Sequence, residues 1–318
     1  SVTLAGIIQL LFLIFFTKRF YKPSFEFQSK LSIRVKFFFK KLLPSVLSSG
    51  VTQVNILVGT IIASFETSAV SYLYYADRIY QINLALAGIA VGTVSLPVLS
   101  KAFKQKNLLK ISHIQRRSIE LSPLFSIPAS LGLIFSSHEI VNALFGYGSF
   151  SLENVNMTAT ALKFFGFGVP AFALIKILSN FFFARNNTKM PFYISSTIVL
   201  INILLSVSFF SHVGFIIIPI ATSFSTWIGV ILYLYLLNKK KFLLIKDFLP
   251  NNIILILLNS LIMTLVLIFA LDYFTNYLEY NFMYKSVYLL LIVGFVAGIY
   301  LISCYLTGVL KTKNFKIN

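Results

Sequence analysis

The chain has 318 residues, 58% of them hydrophobic and only 11% charged, with a mean hydropathy of +0.86. A soluble domain would carry about 25% charged residues, so the composition excludes an ordinary soluble enzyme and indicates a polytopic membrane protein. The single cysteine, Cys304, excludes an internal disulfide. The net charge of +18 raises nucleic acid as a partner, an idea that the placement of the charges removes.

Nine apolar stretches are long enough to read as membrane spans, at 2–17, 42–64, 68–100, 118–136, 157–183, 191–211, 214–237, 251–271 and 286–308. The expected fold class is therefore an all-α polytopic membrane helix bundle. The first stretch begins without Met, lacks a charged n-region and a small-residue cleavage site, and so is not a signal peptide. It reads as a cut end, with the chain as the C-terminal part of a longer protein. The segment 18–41 follows, a basic linker in which Phe25, Phe27, Leu31, Val35 and Phe37–Phe39 alternate with bases. That pattern suits an interfacial amphipathic helix beside anionic headgroups as well as a plain linker.

The third stretch is longer than a bilayer needs, so Gly88, Gly92 and Pro97 are expected to bend it. It also carries Asp77, Arg78, Gln81 and Asn83. Each charge costs about 2.5–3.5 kcal/mol on insertion scales, which function or a buried partner must offset. Asp77 and Gln81, four apart, share a helix face, while Arg78 points about 100° away from Asp77. Arg78 either lines a polar cavity or snorkels to headgroups. The later stretches contribute Lys163, Lys176, Asn202 and Thr222. For Lys163 the competing reading is snorkelling, for Lys176 a structural partner, and for Asn202 and Thr222 interhelical hydrogen bonds. The aromatic, glycine-rich loop 144–150 reads as a short helix at the interface or as a structural turn.

Loop charge alternates along the chain. Segments 18–41, 101–117, 184–190 and 238–250 and the C-terminal tail are basic, whereas the loops around Glu66, around Glu139 and Glu153, and around Asp272 and Glu279 are acidic or neutral. The positive-inside rule puts the basic set and the C-terminus in the cytoplasm. The +18 charge is then a topology signal, and no nucleic-acid partner is expected. No HExxH, CxxC, paired-carboxylate or GxxxxGK motif occurs, so neither hydrolytic chemistry nor a nucleotide site is expected. The chain reads as a non-enzyme.

The run Tyr74-Tyr75-Ala76-Asp77-Arg78, continuing through Gly88, Gly92-Thr93, Leu96-Pro97 and Leu99-Ser100-Lys101, resembles the eighth transmembrane helix of the MurJ/MviN lipid II flippases. Weaker matches follow in family order: Leu42-Leu43-Pro44 with Gln53 and Ala63-Ser64-Phe65; Leu144-Phe145 with Tyr147-Gly148 and Phe150; Lys176 with Ala184-Arg185, Thr188-Lys189 and Pro191; Ala221 to Ser225.

The resemblance implies a member of the multidrug/oligosaccharidyl-lipid/polysaccharide exporter superfamily with two six-helix lobes and a C-terminal helix pair. Residues 1–17 would be the last helix of the first lobe, 18–41 a cytoplasmic linker, 42–240 the second lobe and 250–310 the pair. It further implies translocation of lipid II across the bacterial cytoplasmic membrane by alternating access. Asp77, Arg78, Lys176 and Gln81 would bind substrate, and Asn202 and Thr222 would belong to a sodium site. Where the family carries acidic residues this chain has Gln81 and, one turn after Asn202, Ser206. No cofactor is implied beyond a monovalent cation or the membrane potential as the drive. The partners would be lipid II, membrane lipids and the first lobe of the same protein, in a monomer. A different exporter of the superfamily and a non-transporting membrane remnant stay open as alternatives.

Overall fold

A computed structural model describes residues 2–18, 20, 32–85, 88, 90–243 and 252–310, and among them there is helix and no strand. The chain divides into two units, Ser1–Leu43 and Pro44–Asn318. The first holds α1 (Val2–Thr17), whose large apolar side chains from Leu4 to Phe16 are exposed, and the start of α2 (Ile33–Ala63). Residues 19 and 21–31 of the 18–41 linker, with the first part of its expected amphipathic pattern, lie outside the described residues, while 33–41 already belong to α2; the C-terminal lysines 311–316 also lie outside.

The second unit continues α2 and adds α3 (Ala69–Leu84), α4 (Ala90–Lys104), α5 (Leu108–Phe135), α6 (Ser137–Phe145), α7 (Leu152–Phe183), α8 (Lys189–Val213), α9 (Ile217–Lys239), α10 (Ile253–Tyr273) and α11 (Lys285–Leu306). Helix α7 is the hub, packing against α3, α4, α5, α6 and α9, while α10 and α11 pair with each other, α10 docking on α5 and α11 on α6. Five helical stretches among the described residues are long and apolar enough to cross a membrane, α8 and α9 being taken as one with the turn between them. Leucine, isoleucine and phenylalanine stand exposed along α8 to α11, a surface suited to lipid and costly in water. The chain is a multi-pass membrane protein.

Three local features depart from a plain reading of hydropathy. The long third stretch is interrupted: α3 stops at Leu84, Ala85 and Gly88 take the wider π form, and α4 resumes at Ala90. Pro97 lies inside α4, so the change of winding falls at the glycine end. A Cβ at Gly88 would stand 2.9 Å from the Ala173 Cα, so the absent side chain lets the joint press onto α7. Helix also occupies Ser137–Phe145, ahead of the aromatic loop, and Gly146 to Phe150 form the turn that follows.

Prolines supply the second feature. Pro128 has no N–H for the Leu124 carbonyl, and Pro170 has none for that of Gly166. The Tyr300 hydroxyl of α11 donates to the Leu124 oxygen at 2.7 Å, and the Ser130 hydroxyl of α5 donates to the Gly166 oxygen at 2.7 Å. Each freed carbonyl thus becomes an interhelical acceptor where no water is present to serve it. Ser130 ends a stripe, Ser118, Ser122, Ser126 and Ser130, in which every member is buried. Spacing by four puts small side chains on one face and allows close helix approach. Tyr300→Phe is expected to lower stability by about 1 kcal/mol, in the upper part of the range for interhelical bonds in membranes, because Pro128 leaves Leu124 no alternative donor. Thermal unfolding in detergent measures it.

The third is a carboxylate at a helix start. Glu66 Oε2 accepts from the Phe215 N–H at 2.7 Å, in the 3-10 turn Gly214–Ile216 that leads into α9. Negative charge is favoured there by the helix dipole. Gly214 has φ +70°, and a Cβ on it would come within 2.9 Å of the same carboxylate oxygen. The one acid between α2 and α3 therefore ties that loop to the α8–α9 turn.

Candidate functional site

Helix α3 buries Ala69, Ala76, Ile79 and Tyr80. The opposite face, Tyr74, Arg78, Gln81 and Ala85, is exposed and follows helical spacing. Arg78 stands on that face with its guanidinium carbon 4.7 Å from the centroid of the Tyr74 ring. Asp77 sits half-buried at the flank and accepts a hydrogen bond from the Gln81 amide. So Gln81 orients Asp77, and Arg78 has no carboxylate partner among the described residues. Tyr80 lies beneath, stacked on Phe165 at 5.3 Å, its buried hydroxyl without a hydrogen-bond partner among the described residues.

Lys176 is exposed on α7. Its position along the bundle follows from the α4–α7 contact. A Cβ at Gly92 would lie 3.9 Å from the Lys176 Cβ, and Asn180 Nδ2 donates to the Gly92 carbonyl at 2.7 Å, with Ser95 Oγ at 3.3 Å. Since Gly88 meets Ala173 and Gly92 meets Lys176, the two strands of helix run in the same direction. Fourteen residues separate Arg78 from Gly92, so Lys176 stands about 20 Å further along the axis than Arg78 at a rise of about 1.5 Å per residue. The two side chains together do not span that gap. The structure therefore groups Arg78, Asp77, Gln81 and Tyr74, and sets Lys176 at a second level.

Asn202 and Thr222 do come together. The Asn202 amide donates to Thr222 Oγ1 at 2.9 Å, the Thr222 hydroxyl donates to the Ile218 carbonyl at 2.7 Å, and the Ser206 hydroxyl donates to Asn202 Oδ1 at 3.1 Å. All three groups satisfy one another and join α8 to α9. Asn202 Oδ1, Thr222 Oγ1 and the Ile218 carbonyl are the oxygens a monovalent cation would draw on here, and these bonds hold them together at the α8–α9 contact. Among the described residues there is no cluster of three or more His, Cys, Asp or Glu.

An apolar groove of about 510 Å³ opens on the Ile79 and Asn83 side of α3, away from the Arg78 face, between α3, α5, α10 and α11. Ile79 and Asn83 contribute from α3, Pro128 and Gly132 from α5, Met263 from α10 and Ala297 from α11. A second apolar groove of about 420 Å³, lined by Phe269, Phe274 and Phe295 among others, lies between α10 and α11 alone. Sequence reasoning did not single out Asn180, although an Asn inside an apolar span is the same kind of signal as Asn202. The groove had no local signal, because its walls come from four separate helices.

The family model described as "Lipid II flippase MurJ" matches residues 1–293. A probable lipid II flippase MurJ of Rickettsia prowazekii (strain Madrid E) is 34% identical over 293 residues, 88% of this chain and 56% of the relative. One of Rhizobium meliloti (strain 1021) is 38% identical over 203 residues, 64% of this chain and 38% of the relative. A solved structure described as lipid II flippase MurJ in an inward closed conformation superposes with a TM-score of 0.70 at 30% identity, covering 93% of this chain and 59% of that one. An outward-facing multidrug resistance MATE family transporter of the MOP superfamily has a TM-score of 0.57 at 16% identity, covering 74% and 53%, and shows likeness of fold alone. The chain spans about half the length of the curated relatives it matches. With the family model running along nearly all of it, the chain belongs to the lipid II flippase MurJ family.

Proposed function

We propose that this chain supplies the second lobe and C-terminal helix pair of a lipid II flippase of the bacterial cytoplasmic membrane, with its C-terminus in the cytoplasm. The observations that carry the reading are an exposed arginine on a helix of a membrane protein, with no carboxylate partner among the described residues, and an apolar groove that the same helix lines from another face through Ile79 and Asn83. A polyprenyl diphosphate has both chemistries, a dianionic head and a long apolar tail. Arg78 would hold the diphosphate by charge-assisted, forked hydrogen bonds, and the groove between α3, α5, α10 and α11 would take the tail. Lys176 would meet the head at a second stage, about 20 Å further along the axis, as the lobes rock. No bond is made or broken in this cycle, so the protein acts as a transporter and not as an enzyme, driven by the membrane potential or an ion gradient. The alternating loop charges support the orientation.

Gly132 offers a direct test, because a Cβ there would meet nothing within 4 Å while the residue lines the groove. Gly132→Phe in the full-length protein is expected to fill the groove and slow translocation at least tenfold in vesicles loaded with lipid II, with the melting temperature kept. Wild-type flipping by a folded Gly132→Phe protein would remove the groove from the pathway.

A further inference from the structure

At the end of the unit where α4 stops, α5 starts, and α7 and α9 finish, there is a cavity of about 490 Å³. It is separate from both apolar grooves. Its lining includes His113, Arg116, Arg185 and Lys241, and no acidic residue among those described. Arg185 forms the floor. Its guanidinium lies between the rings of Phe103 and Phe242, at 4.2 and 4.0 Å, and donates to the carbonyls of Phe181 at 2.6 Å and Phe242 at 3.1 Å. Burial lowers the Arg185 pKa to about 10, so the group stays charged at neutral pH and is held rigidly with two of its five N–H groups occupied. Gln115, itself buried, donates to the same Phe242 carbonyl at 3.1 Å and fixes the wall. Leu108, in the cavity lining, is 78% exposed and its chain neighbour Leu109 85%, an apolar edge beside a basic hollow.

We propose that this cavity binds the phosphate headgroup of an anionic phospholipid, with Arg116 and Lys241 gripping the phosphate over the Arg185 floor and Leu108 and Leu109 resting among the acyl chains. A soluble phosphate shares the head chemistry but has no use for the apolar edge. Basic pockets between membrane helices take anionic headgroups through the same pairing of charge with an apolar surround. The site is independent of the transport pathway: neither Arg78 nor either groove takes part in it.

The experiment is native mass spectrometry of the whole chain, released from nanodiscs of phosphatidylglycerol or of phosphatidylcholine. Wild-type protein is expected to retain phosphatidylglycerol preferentially. Lys241→Ala should weaken retention about fivefold and the double variant Arg116→Ala/Lys241→Ala about 25-fold, at about fivefold per basic residue near the surface. These two side chains are exposed, so the variants avoid the packed Arg185. Equal retention of the two lipids, or a folded double variant that binds phosphatidylglycerol like wild type, would overturn the proposal. So would inorganic phosphate or glycerol 3-phosphate competing as well as phosphatidylglycerol, which would make the site one for a soluble anion.

Discussion

Arg78→Ala, made in the full-length protein, is expected to abolish rescue of a strain depleted of its own lipid II flippase and to cut translocation in vesicles by about 10- to 100-fold. The figure follows from losing a hydrogen-bonded charge to the substrate, worth about 1.5–3 kcal/mol, where each 1.4 kcal/mol is about tenfold. The fold should survive. Arg78 is exposed, and its contact within the unit is the Tyr74 ring at 4.7 Å, a cation–π pair worth about 0.5–1 kcal/mol at an exposed site. Arg78→Lys keeps the charge but loses the fork that matches a phosphate, and should fall between wild type and alanine. Asp77→Asn should be milder, since an amide still accepts from Gln81. Wild-type flipping by the alanine variant would end the assignment of this face as the headgroup site.

Lys285→Met is expected to have the largest effect on stability, about 3–5 kcal/mol, the lower half of the range for leaving three oxygens without their donor at about 1–3 kcal/mol each, since the Tyr280 carbonyl is only partly buried. Lys285 is 1% exposed. Its ammonium donates to Asn142 Oδ1 at 3.1 Å, to the Gly146 carbonyl at 2.6 Å and to the Tyr280 carbonyl at 2.6 Å, with the rings of Tyr147 and Tyr280 at 4.3 and 4.7 Å. All three of its protons are used. Neighbouring bonds act with it: Asn142 donates to the Leu278 carbonyl, Ser286 to the Ala143 carbonyl, and Tyr280 to the Phe150 carbonyl. This knot fastens the end of α6 and its aromatic turn to the α10–α11 loop. The melting temperature should drop, and proteolysis should begin between α10 and α11 before the α5–α7–α9 core opens. An unchanged melting temperature with the loop still protected would show that the knot carries no weight.

Hydropathy alone places most of the helices, because a segment that must satisfy its backbone in lipid has helix as its only local solution. The pair Asp77 and Arg78 stands out for the same reason: charge in such a segment is costly wherever it points. The aromatic loop 144–150 has no local reading of that kind, because Tyr147 covers Lys285, 138 residues away in sequence, while Phe145 and Phe150 pack on Tyr75. In the sequence, Lys285 is one lysine close to Glu279 and Asp272, before the last apolar stretch. Nothing local to it announces three carbonyl and amide oxygens arriving from other segments.

The same division runs through the whole protein. Its membrane class, its helices, the sign of each loop and the polar face of α3 follow from residue identity and short-range spacing, since transfer into lipid acts residue by residue. Three things appear only once the helices are packed. One is the interruption between Leu84 and Ala90, where Gly88 presses on Ala173. Another is the use of the proline-freed carbonyls of Leu124 and Gly166 by Tyr300 and Ser130. The last is the separation of Arg78 from Lys176 along the bundle. Each of these depends on which residue of a distant helix arrives at a given height, and that register is a property of packed side chains and not of hydropathy.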